Sequence, residues 1–353
     1  MPTMEITTCV GCRVQCTFCP QDLLMTRYER KTDENKITFA KPVMMSFNTF
    51  KTCIDKIPLR VEINFSGFTE AFLNPNCVDM ILYAHERGHK INVFSTLVGM
   101  TEEDVEKIKH IKFGTFVIHL PDANHYAKIA INDQYIRVIK KIISGKIHHL
   151  HCMCMGEIPS VIQEITGLNF PPAPMHDRAG NNEIGFKTPK KYGPLLCTKA
   201  SDCGIKVIDE NVLLPNGDVC LCCMDYGMEY VLGNLLRQGY DSLFTSDEFK
   251  KVKEKMSEQD SDIMCRVCTR SISADKIQNI SERKSKTSKR KFNDEYSLFI
   301  GELYEEVLYR QPREVEMDHF HTMLESKTMT FEQVRKQLEE CDERKQIQRP
   351  RLV

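Results

Sequence analysis

Four cysteines crowd the first twenty residues, in the stretch Cys9-Val10-Gly11-Cys12-Arg13-Val14-Gln15-Cys16-Thr17-Phe18-Cys19-Pro20. Three of them, Cys12, Cys16 and Cys19, are spaced Cys-x3-Cys-x2-Cys. Thiolates are the usual ligands of iron–sulfur clusters, and a loop leaving a strand can turn several of them toward one point. The residues just before, Glu5-Ile6-Thr7-Thr8, read as the end of such a strand because three of them are β-branched. Three protein ligands on a four-iron cluster leave one iron open to a small molecule, by the logic that leaves a catalytic zinc an open position. Two other readings use the same residues. Cys9-x2-Cys12 and Cys16-x2-Cys19 can be two zinc pairs, although zinc sites usually separate their pairs by a longer loop. Alternatively Cys9 closes the cluster as a fourth ligand, and the site then carries electrons without turnover of its own.

The elements that must position this loop alternate in type. Strand patterns fall at residues 3–8, 60–65, 90–94, 112–120 and 147–155, and helical patterns at about 46–57, 76–87, 101–109, 133–144 and 158–166. Ser46 and Thr101 are N-cap candidates, the second with Asp104 in a capping-box pattern. Repeated strand–helix units predict an α/β fold with a parallel sheet and helical crossovers.

With that frame, the cysteine loop resembles the signature of the radical S-adenosylmethionine (SAM) enzymes. That family shares the spacing and has an aromatic residue just before the third cysteine, here Phe18. The bacterial ferredoxin order of spacings, x2, x2, x3, differs from the x2, x3, x2 found here. The resemblance implies a partial (β/α)6 TIM-like barrel with its chemistry at the C-terminal strand ends. It also implies a catalytic [4Fe-4S] cluster on Cys12, Cys16 and Cys19 whose open iron is chelated by SAM. Reductive cleavage of SAM then yields a 5′-deoxyadenosyl radical that abstracts hydrogen from a substrate; the hard chemistry is the cofactor's. Ser66-Gly67-Phe68-Thr69-Glu70-Ala71 resembles the family's Gly-Gly-Glu-Pro motif, with Thr69 and Ala71 as departures. Gly67, Thr69 and Glu70 are therefore expected to seat the SAM amino group, which has only donors to offer. Ser95-Thr96 resembles the start of the family's Ser-Thr-Asn-Gly segment and is expected to line the same pocket, unless these hydroxyls serve only a turn. His119 and Asp122, at the end of the fourth strand, are candidates for SAM or substrate contacts, unless Asp122 serves only to cap the next element. Cys152 and Cys154 read as buried, inert thiols.

A second cysteine set follows a loop rich in Pro, Gly and Asn between residues 171 and 182: Cys197, Cys203, Cys220, Cys222, Cys223, Cys265 and Cys268. Asn216-Gly217 between apolar runs signals a hairpin. The hairpin's Gly-x-Val-x-x-Cys, the later Leu232-Gly233-Asn234 and the closing Cys265-x2-Cys268 resemble the SPASM extension of radical SAM enzymes, which carries auxiliary iron–sulfur clusters. Seven cysteines do not fill two four-ligand clusters, so one auxiliary [4Fe-4S] cluster is expected on Cys222, Cys265 and Cys268. Its fourth ligand is Cys203 or Cys197. A structural zinc on paired hairpin cysteines is the competing reading.

Composition bounds the rest. The chain has 353 residues, 41% of them hydrophobic, a net charge of −1 and 16 cysteines. The charge argues against a wholesale nucleic-acid or membrane binder, and there is no apolar run of about 18 residues to span a bilayer. The first residues carry no signal-peptide pattern, so the cysteines read as metal ligands and free thiols in a reducing cytoplasm. The expected domains are the barrel over 1–180, the SPASM-like domain over 190–278, a basic linker over 279–294, a small helical module over 295–342 and a disordered tail over 343–353. The linker's six cations over 281–291 lack the interleaved aromatics of a nucleic-acid patch. The module resembles one appended to glycosyltransferases, which tilts the expected substrate toward a carbohydrate, with a peptide as the rival. An external electron donor such as flavodoxin or ferredoxin is the expected protein partner.

Overall fold

The computed structural model describes residues 2–32, 42–198, 208–273, 295–308, 312, 314–326 and 328–340. The chain divides into two compact units, Met1–Asp275 and Lys276–Val353. The first begins with strands β1 (Thr3–Ile6) and β2 (Cys9–Val10), helix α1 (Gln21–Thr32) and strand β3 (Val43–Met44). Strand–helix units follow: α2 (Phe47–Ile54), β4 (Glu62–Phe65), α3 (Cys77–Glu86), β5 (Ile91–Ser95), α4 (Glu102–Ile108), β6 (Thr115–His119), α5 (Asp133–Ser144), β7 (Leu150–Met153) and α6 (Ser160–Thr166). The remainder of this unit holds β8 (Leu195–Cys197), β9 (Glu210–Leu213), β10 (Asp218–Cys220), β11 (Val231–Asn234), α7 (Asp247–Ser257) and β12 (Ser271–Ser273).

The main sheet runs β11-β10-β9-β1-β4-β5-β6-β7. β1, β4, β5, β6 and β7 are mutually parallel along that order, as strands joined by helical crossovers must be. This is the α/β class with a parallel sheet expected from the alternation, and it fits the partial barrel that the resemblance implies. β9 is also parallel to β1, so a sixth parallel strand lies on the other flank and comes from the cysteine-rich stretch. That stretch thus continues the barrel sheet instead of standing apart from it. It turns back through Asn216-Gly217 into antiparallel β10, with Gly217 at φ +86°. Asn234 fastens the hairpin, donating from Nδ2 to the Asn216 carbonyl at 3.1 Å and to Asp218 Oδ1 at 2.8 Å.

The pleat sorts the side chains. Ile63, Phe65, Ile91, Val93, Phe116 and Ile118 are buried on one face of the sheet. They belong to the same core as Phe50 and Ile54 of α2, Ile81 of α3, Val105 of α4 and Ile139 of α5. Glu5, Asn64, Val117 and His119, on the alternating register, are only half-buried. The helix starts follow the sequence signals: Ser46 Oγ accepts from Thr49 N at 3.0 Å, and Thr101 and Asp104 form the full capping box. Among the described residues no helix is long and apolar enough to cross a membrane.

The second unit holds α8 (Glu295–Leu308), α9 (Glu314–Glu325) and α10 (Phe331–Glu340) around its own core of Ile300, Leu303, Val307, Phe320, Leu324, Val334 and Leu338. Thr330 and Gln333 cap α10 reciprocally, at 2.7 and 3.3 Å. Residues 274–294, which include the whole of the expected linker, and the tail from 341 onward lie outside the described residues.

Candidate active site and second cluster site

The cysteine loop leaves β2 at the C-terminal end of β1. Two left-handed residues shape it, Gly11 at φ +95° and Gln15 at φ +53°. Its base is held by Gln21, the first residue of α1, whose Oε1 accepts from Cys12 N at 3.3 Å and whose Nε2 donates to the Phe68 carbonyl. Cys12, Cys16 and Cys19 line one cavity together with Phe18, Gly67, Thr69, Glu70, Ser95, Thr96 and His119. The ends of β4, β5 and β6 thus meet the loop, as the motifs imply. Arg178 and Tyr226, which no sequence motif singles out, complete that wall.

Cys9 is elsewhere. It lies on β2, fully buried, paired with Met44 of β3, and its thiol is hydrogen-bonded to Thr69 Oγ1 at 3.0 Å. It is absent from the cavity lining, which leaves three thiols on that surface. Burial pushes the thiols of Cys9 and Cys16 up to about 12. Thiolate at Cys16 therefore requires a positive centre to replace the lost hydration.

Glu70 is buried and saturated. Its carboxylate accepts from Phe72 N at 3.1 Å, Ser95 Oγ at 2.8 Å, Thr96 Oγ1 at 2.6 Å and the Thr96 backbone N–H. Burial still raises its pKa above the usual carboxylate range, against those four donors. Glu70 therefore braces the end of β5 against the end of β4. Gly67 sits at φ +63°, and a Cβ there would lie 2.5 Å from Thr7 Oγ1, so the turn packs directly on β1. Asp122 is turned away from the cavity: its carboxylate accepts from Tyr126 N at 2.9 Å and Ala127 N at 2.8 Å, shaping the loop after β6.

A second cavity is lined by Cys197, Cys222, Cys223, Cys265 and Cys268, with His176, Arg178 and Arg270. Cys265 and Cys268 ride on a short 3-10 turn, Met264–Val267, whose Arg266 is buried and donates to the carbonyls of Lys191, Gly193 and Glu258. Cys203 lies outside the described residues. Cys220, Cys152 and Cys154 line neither cavity, and Cys220 and Cys154 are buried. Cys223, to which the hairpin motif assigns no role, is on the cavity surface.

The donor sets fit iron–sulfur clusters. Among the described residues no three His, Cys, Asp or Glu side chains close on one metal ion; the thiols stand around two cavities instead. Ser66 Oγ, on the first cavity, is buried with no hydrogen-bond partner, which marks a place for a polar ligand.

Residues 203–269 match the family model of SPASM, an iron–sulfur cluster-binding domain. Among solved structures, the chain is similar to BtrN in complex with AdoMet and 2-DOIA (15% identity, TM-score 0.46, covering 73% of this chain and 88% of that one). It is similar also to anSMEcpe with bound AdoMet (11%, 0.46, 76% and 86%) and to Streptococcus suis SuiB bound to precursor peptide SuiA (15%, 0.40, 71% and 66%). None of these distant likenesses bears on what this chain acts on. The SPASM match spans Cys222, Cys223, Cys265 and Cys268 of the second cavity, so that stretch is an iron–sulfur cluster-binding domain.

Proposed function

We propose that this chain cleaves SAM reductively at the first cavity and abstracts hydrogen from a bound substrate. One observation carries the reading: Cys12, Cys16 and Cys19 line a shared cavity, while Cys9 is absent from that lining and is hydrogen-bonded from behind to Thr69. A four-ligand closed site of the electron-carrier kind needs Cys9 on that surface. A cluster held by three cysteines with SAM bound supplies one-electron cleavage of a carbon–sulfur bond. The protein's part is to hold and shelter. Cys12, Cys16 and Cys19 would ligate the cluster, and Phe18 and Phe68 give it apolar walls. Gly67 and Thr69 would present backbone and hydroxyl to the SAM amino group, with Ser95 and Thr96 fixed in place by Glu70. The second cluster would sit on Cys222, Cys265 and Cys268, with Cys197, Cys203 or Cys223 as its fourth ligand.

The substrate class we favour is a hydroxyl-rich, carbohydrate-type molecule. Two features support it: the resemblance of the terminal helical module to one appended to glycosyltransferases, and a first cavity that offers Ser66, Thr96, His119 and Arg178 as polar groups. The test is deuterium transfer into 5′-deoxyadenosine from deuterated sugar-nucleotide substrates and from deuterated peptides. Transfer from the sugar series supports this class; transfer from peptides alone overturns it.

A further inference from the structure

The two cavities share a wall. Arg178 lines both, and Tyr226 of the first cavity lies four residues after Cys222 and three after Cys223 of the second. The phenol oxygen of Tyr226 is 3.6 Å from Cys19 Sγ, across 207 residues of sequence. Tyr226 is 3% exposed and its ring packs on Phe68 with centroids 4.5 Å apart, so the hydroxyl has little freedom to turn away. A cysteine that ligates iron has no proton to give, so in this contact Tyr226 is the donor.

Arg178 is placed with equal care. It opens a run of three left-handed residues, at φ +52°, +58° and +84° for Arg178, Ala179 and Gly180. The first two are not glycine, so their Cβ atoms crowd the backbone in this conformation. The half-buried guanidinium interacts electrostatically with Tyr226, Cys223, Cys19 and Glu5, three of which lie on the two cavities. Among the described residues its side chain makes no hydrogen bond. A strained turn that carries a cation between two sets of thiols, and gives it no carboxylate fork, suits a cation whose counter-charge is supplied by what those thiols hold.

We propose that Tyr226 and Arg178 are positioning residues through which the cysteine-rich extension sets the reduction potential of the first cluster, Tyr226 by donating to the Cys19 sulfur and Arg178 by acting as a cation common to both cluster sites. The reduced form of a cluster carries one more negative charge than the oxidised form. A hydrogen-bond donor or cation beside a ligand sulfur stabilises that form and raises the potential. The inference rests on the proposed function, since it needs a cluster on Cys12, Cys16 and Cys19.

The test is an anaerobic redox titration of the reconstituted full chain, followed by electron paramagnetic resonance. The signal lost when Cys12, Cys16 and Cys19 are replaced by alanine defines the first cluster. Tyr226→Phe keeps the ring on Phe68 and removes only the hydroxyl. It is expected to shift the first midpoint to more negative potential and leave the second unmoved, with iron content unchanged. Arg178→Gln is expected to lower both midpoints, and Arg178→Lys to restore most of the shift. Unmoved midpoints in Tyr226→Phe and Arg178→Gln, with both signals present, overturn this inference and leave the proposed function standing. A wild-type chain with no signal assignable to the first three cysteines removes both.

Discussion

Thr96 Oγ1 lies 2.6 Å from Glu70 Oε2, and this contact ties the end of β5 to the end of β4 beside the cysteine loop. The motif resemblance has Glu70 offer its charge to an ammonium group, but its carboxylate is already occupied by four donors of the protein. Its effect on SAM then runs through the positions of Ser95 and Thr96. Glu70→Ala is expected to destabilise the fold by about 2–3 kcal/mol, because it strands buried donors, and to weaken SAM binding while the iron of the first cluster stays. Chemical denaturation of the reconstituted protein, with SAM titration, checks this. Weaker SAM binding with unchanged stability would instead mean that Glu70 meets SAM directly.

Cys9 offers a sharper distinction. Its thiol is hydrogen-bonded to Thr69 inside the core, so Cys9→Ala is expected to keep the full iron content and SAM cleavage, at a stability cost of about 1 kcal/mol. Iron analysis after anaerobic reconstitution is the measurement. Loss of the first cluster in this variant points to a closed, four-cysteine site.

His119 is held neutral. Burial and then the charge of Arg178 push it down to about 4 from the ordinary 6.5. Between those values the unfolded chain binds a proton that the folded chain does not, so stability rises with pH across that window and gains nothing more above it. From pH 7 to pH 5 the wild type is expected to lose on the order of 1–2 kcal/mol that His119→Gln does not lose. Urea unfolding of both proteins at the two pH values reads the difference. Equal losses would mean that His119 titrates normally.

Much of the fold and site is legible in the amino-acid sequence wherever the information is local. The spacing of Cys12, Cys16 and Cys19 fits within one loop, Asn216-Gly217 sets its own turn, and Thr101 with Asp104 caps its own helix. What the sequence hides depends on pairings between distant segments. Nothing in Glu210–Leu213 announces that it runs parallel to β1, and nothing near Tyr226 shows that it reaches Cys19. β2 and β3 are two residues each, too short for any periodicity to register. Asp122 has two readings in the sequence, a ligand contact or a cap of the next element, and its carboxylate accepts from the next loop's backbone as the second has it.

The terminal helices have a separate core, which predicts that a chain ending at residue 280 folds, holds about eight irons in two clusters and cleaves SAM as the full chain does. Circular dichroism, iron analysis and the cleavage assay check the three parts. A shortened chain that precipitates or loses iron would show that the first unit depends on the second.

The central claim is that Cys12, Cys16 and Cys19 form an open cluster site that uses SAM. Its most direct test is the yield of 5′-deoxyadenosine from SAM and a one-electron reductant, measured for the reconstituted wild type and for the variant with all three cysteines replaced by alanine. The account predicts product from the wild type and none from the variant, which still holds the second cluster. No product from a wild type carrying both clusters, or equal product from the variant, would contradict it.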